Sequence, residues 1–173
     1  MIKSIKSAIW FLVLSFVSAH GFCDVVLPWS YDSGDASAMT MHNVKDGESA
    51  GSPEVLIVAE INHSAGGEKK IYFTLQAQGK NNSSCTPSGE FVTRRVVYFD
   101  GQAIKMLNWC KKYSDSDTYY SEYTAATYPG ANYIVDLFKT KHDNIVIKFP
   151  GIESEVSAKN FSDVWNKFGS DAL

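Results

Sequence analysis

The sequence predicts an α+β fold: an antiparallel β-sheet of two or more hairpins with C-terminal helices packed on one face. Runs of β-branched and aromatic residues fill the middle of the chain, and Asp100-Gly101 marks a tight turn between two of them. Apolar residues at helical spacing appear only in the last third of the mature chain. Strands first, then helix, strand and helix, is the order of an α+β domain.

Taken in order, residues 22–53 are polar and rich in small residues, with no period, and read as an irregular N-terminal segment with at most one short strand at 24–27. A single α+β domain is expected over 54–170. It opens with the apolar run Val55-Leu56-Ile57-Val58-Ala59-Glu60-Ile61. After a loop at 62–67, Ile71, Phe73, Leu75 and Ala77 fall on one face of a strand and Tyr72, Thr74 and Gln76 on the other. These two strands make the first hairpin. Residues 79–90 form a loop.

β character resumes over 91–99, and Asp100-Gly101 fits a type I′ turn, which needs positive φ at both central residues. A two-residue turn pairs Phe99 with Gln102, Val97 with Ile104, Arg95 with Met106 and Phe91 with Cys110. Both faces of this hairpin are largely apolar, so it is expected to be central and partly covered on each side. A charged turn at 111–118 leads to a strand at 119–125. Residues 131–141 place Ile134, Leu137 and Phe138 at helical spacing, with a strand as the rival reading. Residues 145–149 form a strand, and Phe161, Val164, Trp165 and Phe168 mark a last helix over 157–168.

Residues 1–21 have the pattern of a cleavable signal peptide. Lys3 and Lys6 precede the uncharged run from Ala8 to Val17, and small residues allow cleavage after Ala19 or Gly21. A retained anchor would need a longer apolar run. Cys23 suggests a lipoprotein, but bulky Phe22 stands where the processing enzyme requires a small residue. The expected destination is therefore the periplasm or the medium, with no membrane span in the mature chain.

The chain of 173 residues carries a net charge of −3; loss of the signal removes Lys3 and Lys6 and no acidic residue, giving −5. With no basic stripe, a nucleic-acid partner is not expected. Cys23, Cys85 and Cys110 allow one bridge, in any of three pairings, and one odd thiol. Cys85–Cys110 is favoured because the hairpin brings both to the same end of its strands. Cys23 is left free or available for a dimer.

No catalytic or metal signature stands out. There is no G-x-S-x-G, and Ser88-Gly89 and Gly51-Ser52 are ordinary loop dipeptides. His42, His63 and His142 are scattered and expected in loops. Asp32/Asp35 and Asp115/Asp117 lack the ordered oxygen array of a calcium loop and suit surface turns. No cofactor or metal is expected.

The tyrosines stand out. Tyr119, Tyr120, Tyr123 and Tyr128, with Tyr113 and Tyr133 nearby, are candidates for a binding surface, because tyrosine offers a rigid contact with a polar tip. The competing reading is that alternate tyrosines of a strand pack on the core.

Over 131–168, a helix YIVDLFKTK, a strand IVIKF and then SAKNFSDVW resemble the closing segment of invasion-associated locus B type periplasmic proteins. In that family a stretch of serine, small residue, any residue, glycine and phenylalanine opens the last helix; Asn160 stands here at the glycine. The resemblance implies a bacterial envelope location and no specific activity. The expected function is a non-enzymatic periplasmic binding protein with a protein partner, such as an immunity protein or an inhibitor of an envelope-active enzyme. The alternatives are a small secreted hydrolase without a readable motif and a structural envelope component.

Overall fold

The computed structural model describes residues 25–32, 34–42, 55–78, 82–87 and 91–169. The expected signal segment, Cys23, Ser88-Gly89, Gly51-Ser52 and the side chain of His42 lie outside the described residues. The elements are β1 (Val25–Asp32), β2 (Asp35–His42), β3 (Val55–His63), β4 (Lys69–Ala77), β5 (Thr93–Phe99), β6 (Gln102–Lys112), β7 (Tyr119–Ala125), α1 (Tyr128–Thr140), β8 (Asn144–Phe149), β9 (Ile152–Ser157) and α2 (Phe161–Lys167).

The strands join one sheet in the order β1-β2-β3-β4-β7-β6-β5-β8-β9, and every neighbouring pair is antiparallel. The sheet curls until its ends nearly meet. The Thr40 hydroxyl of β2 donates to the Glu155 carbonyl of β9 at 2.6 Å, and the Trp29 N–H of β1 donates to the Lys159 carbonyl at 3.1 Å. Of the described residues 56% are in strands and 16% in two short helices, so the fold is mostly β and barrel-like. This overturns the expected α+β sheet with helices laid on one face.

The physical reason lies in what the helices cover. Every second residue along the strands points to the concave side, among them Ile57, Phe73, Val97, Met106, Tyr123 and Ile147, all buried. Ile134 and Phe138 of α1 and Phe161 and Val164 of α2 are buried with them in one core. Phe138 lies 5.6 Å from Trp29, 6.3 Å from Phe73 and 5.1 Å from Phe161 between ring centroids. The helices therefore complete the interior of a curled sheet. Gly130 lets α1 come close to β6, since a Cβ there would stand 3.1 Å from the Ile104 side chain. The Thr127 hydroxyl caps the helix by accepting from the Gly130 N–H at 3.2 Å.

Two further expectations change. Part of the segment expected to be irregular, 22–53, forms strands: β1 and β2 pair with each other, and β2 pairs with β3 from Ser37↔Glu60 to His42↔Val55. Its inward residues Ala36, Ala38 and Thr40 are small, so their two-residue period is faint, yet each is buried. The second change concerns the last helix, which begins at Phe161, because 152–157 form β9. Gly151, at φ 83°, turns the chain from β8 into β9, pairing Phe149 with Ile152. Asn160 takes a left-handed φ of 67°, a conformation that glycine and asparagine adopt most readily.

The hairpin of β5 and β6 has the expected register, Phe99↔Gln102, Val97↔Ile104 and Arg95↔Met106, with φ 45° at Asp100 and 85° at Gly101. Only one of its faces is buried. Val96 and Tyr98 are exposed on the outer face, and Phe91 is 88% exposed rather than directed at the core.

Cys85 and Cys110 form a disulfide with Cα atoms 5.9 Å apart. It ties the 82–87 segment beside β4 and β7, which pair with each other only from Tyr72↔Thr124 to Leu75↔Ser121. Where those strands part, Ser84 bridges them: its N–H donates to the Tyr119 carbonyl, and its hydroxyl bonds the Leu75 carbonyl and the Ser121 N–H. No helix of the described residues is long and apolar enough to cross a membrane.

Candidate functional site

The four candidate tyrosines do not share one surface. Tyr123 points inward from β7, is 6% exposed and packs on Phe149 at 5.2 Å. Tyr119 and Tyr120 open the same strand half-buried, with Tyr120 against Tyr113 at 4.8 Å. Tyr128 alone is strongly exposed, at 75%, on the first residue of α1. Strand alternation separates Tyr123 from Tyr120, and the helix start carries Tyr128 to a different face.

Tyr128 lines a cleft of about 530 Å³ between α1, the start of β4 and the end of β7, closed at one side by Trp165 of α2. That volume lies within the range of roughly 300–1,000 Å³ usual for ligand pockets. Its apolar wall includes Ile71, Ala125 and Ile134, and its polar groups include Asn132 and Thr124.

The cleft's distinctive feature is a pair of cations. The Lys69 ammonium lies 4.6 Å from the Trp165 ring centroid and that of Lys139 lies 5.6 Å from it. Lys69 also donates to the carbonyls of Trp165 at 2.7 Å and Phe168 at 3.4 Å, at the negative end of α2. Burial lowers the Lys69 pKa below the ordinary lysine value, and the charge of Lys139 lowers it further. Neither ammonium is paired with a carboxylate among the described residues, whereas neighbouring Lys70 is paired with Glu68 at 2.9 Å. Two like charges converge on one ring, neither of them ion-paired, in a cleft whose lining also holds the carboxylates of Glu68 and Asp136. Such a cleft suits an anionic group with an apolar body.

The lining holds no histidine or cysteine. His63 stacks on Phe168 at 5.2 Å, and His142 is exposed after α1. Asp32 and Asp35 face each other across the β1–β2 turn, and Asp117 pairs with Lys112 at 2.7 Å. Among the described residues no group of three histidines, cysteines or acids could hold a metal.

A second group of charges sits on the outer wall. Glu60 of β3 has its carboxyl raised above the ordinary value by burial, then by Glu122 and Asp35, with Lys111 opposing. Because the folded pKa is the higher one, the native state binds the proton more readily, and stability from this group is gained as pH falls through the folded pKa. Glu60→Gln is therefore expected to stabilise the protein at neutral pH, with the advantage over the parent shrinking under acid. Urea unfolding at pH 7.5 and pH 4.5 checks the sign.

The sequence reading missed Lys69, Lys139 and Trp165. Trp165 was visible as part of an apolar helical stripe, but it sits at the rim of that stripe, half-buried. Nothing local links it to lysines on β4 and α1. No protein-family model matches the chain, and neither a curated protein nor a solved structure matches it.

Proposed function

We propose that the protein is an exported, non-enzymatic binding protein that acts on a partner protein, as an immunity protein or an inhibitor of an envelope-active enzyme does. In this reading the cleft beside α1 receives a carboxylate of the partner. The carrying observation is the convergence of Lys69 and Lys139 on the Trp165 ring, neither of them paired with a carboxylate among the described residues. The signal pattern of residues 1–21 and the resemblance of residues 131–168 support the bacterial envelope as its place.

A filled interior favours a surface mode of binding. Phe73, Phe99, Phe138, Phe149, Phe161 and Trp29 occupy the space that an open-mouthed barrel would offer to a ligand. The cleft has one aromatic side, apolar walls and two lysines free of ion pairs beside Glu68 and Asp136, and those two lysines are the groups that would hold a partner's acidic anchor.

Calorimetric titration of the mature chain with acetyl-leucyl-glutamate tests the cleft. Binding is expected to weaken as salt rises, and to weaken as pH rises through the lowered Lys69 pKa. Lys139→Glu is expected to reduce affinity by about tenfold or more, while its exposed position leaves stability within about 0.5 kcal/mol of the parent. Equal binding by parent and Lys139→Glu would remove the cleft from the reading. Turnover of the dipeptide, seen by mass spectrometry, would replace a binding protein with a hydrolase.

A further inference from the structure

We propose that the open edge of β5 receives an extended acidic segment of a partner protein as an added strand. β5 pairs with β6 along all of Thr93–Phe99 but with β8 only at Tyr98↔Lys148 and Phe99↔Ile147. β8 ends at Phe149, which this register sets opposite Val97, and the chain turns at Gly151, so residues 93–96 have no strand beside them on that side among the described residues.

The direction of the unpaired groups follows from the turn. Two residues at Asp100-Gly101 make Phe99↔Gln102 a hydrogen-bonded pair, and alternation then gives Val97↔Ile104 and Arg95↔Met106 the same character. The N–H and C=O of Arg94 and Val96 consequently point away from β6, toward the open side. On that same side, the Asp100 N–H donates to the Val146 carbonyl at 2.8 Å, which continues the alternation beyond Tyr98. An added strand would complete this ladder, and main-chain bonds would supply its affinity.

The surroundings define the chemistry of the occupant. Phe91, Val92, Val96, Tyr98 and Val146 are exposed along this edge and the adjoining outer face, five of nine such large apolar side chains in the described structure. Arg94 and Arg95 are exposed on the edge strand, and Lys105 stands opposite Val96 on β6. None of these three cations has a carboxylate partner among the described residues, whereas Lys148 is paired with Glu153 at 2.6 Å. A second copy of the chain fits poorly, because pairing both free amides of each copy would set Arg95 against Arg95, and like charges directly opposite repel. Charged edge residues deter indiscriminate pairing; here the exposed apolar side chains of Val96 and Tyr98 on the outer face and the Arg95 guanidinium on the opposite face select a strand that alternates apolar and acidic residues, its acids on the Arg95 side. The edge shares no residue with the Lys69–Lys139 cleft, so the two proposals stand or fall separately.

The probe is a short acetylated, amidated peptide of alternating glutamate and valine, titrated into the mature chain by NMR. It should shift the amides of residues 93–97 and bind less tightly as salt rises. Its lysine–valine counterpart should not bind, nor should a version N-methylated at alternate residues, which cannot complete the ladder. Arg94→Glu with Arg95→Glu should weaken binding by about tenfold or more, as should Val96→Pro, whose missing N–H is one that β6 does not use. If Val96→Pro fails to fold, the comparison of plain and N-methylated peptides on the parent decides the matter. Equal binding of those two peptides, no binding of the acidic peptide, or a concentration-dependent dimer formed through this edge would each overturn the proposal.

Discussion

Phe138→Ala is expected to lower the unfolding free energy by about 3–5 kcal/mol, the cost of emptying a fully buried phenylalanine site. Phe138 is 1% exposed and stands where α1 meets three other aromatic side chains: Trp29 of β1, Phe73 of β4 and Phe161 of α2. These partners come from the beginning, middle and end of the chain and are held by separate elements, so the gap should close only partly. Urea denaturation monitored by tryptophan fluorescence gives the value, with the parent and variant slopes compared to confirm that both unfold in one step. A loss below about 1 kcal/mol would mean that α1 rests on the sheet without filling it.

The second large effect is expected at the disulfide. Cys85→Ser with Cys110→Ser should cost about 3 kcal/mol, from the chain entropy released when a loop of 25 residues is no longer closed. The location adds to this. The bridged segment carries Ser84, whose hydrogen bonds join β4 and β7 where those strands separate. Releasing it therefore loosens the wall where β4 and β7 part. Thermal unfolding of the parent with and without reductant, beside the double variant, checks both points. The reduced parent should match the variant, and reductant should leave the variant unmoved. A melting temperature insensitive to reductant would show that the loop is held by its hydrogen bonds alone.

Local chemistry made some of this structure legible. The Asp100-Gly101 pair sets a turn that only positive φ allows, so the β5–β6 register could be derived residue by residue. Ile71, Phe73 and Leu75 announce one buried face of β4 by simple alternation, and Ile134 and Phe138 mark the stripe of α1. The closure of the sheet was not legible. Its inward residues on β2 are Ala36, Ala38 and Thr40, and on β9 they include Ser154 beside Val156, so neither strand shows strong apolar alternation. Small and polar residues suffice there because bulk comes from elsewhere, with Trp29 and Phe161 edge to face at 5.0 Å. The cleft was hidden for a related reason. Lys69, Lys139 and Trp165 lie on three different elements, and only the curled sheet brings them together. Tyrosine density was visible in composition, but strand alternation and one helix start then divided the cluster among three environments.

The seam between the two ends of the sheet has a consequence for how the chain matures. The bond from Thr40 to Glu155 spans 115 positions, and that from Asn160 to Trp29 spans 131. A chain emerging N-terminus first would present β1 and β2 long before their closing partners exist. Until β9 and α2 follow, Trp29 has no pocket and one edge of the sheet stays bare. Contacts this distant in sequence slow folding, and a bare edge in the interim invites pairing with the wrong chain. The opening hairpin is thus made early and finished last, and the interval before β9 and α2 arrive is when its bare edge is open to mispairing.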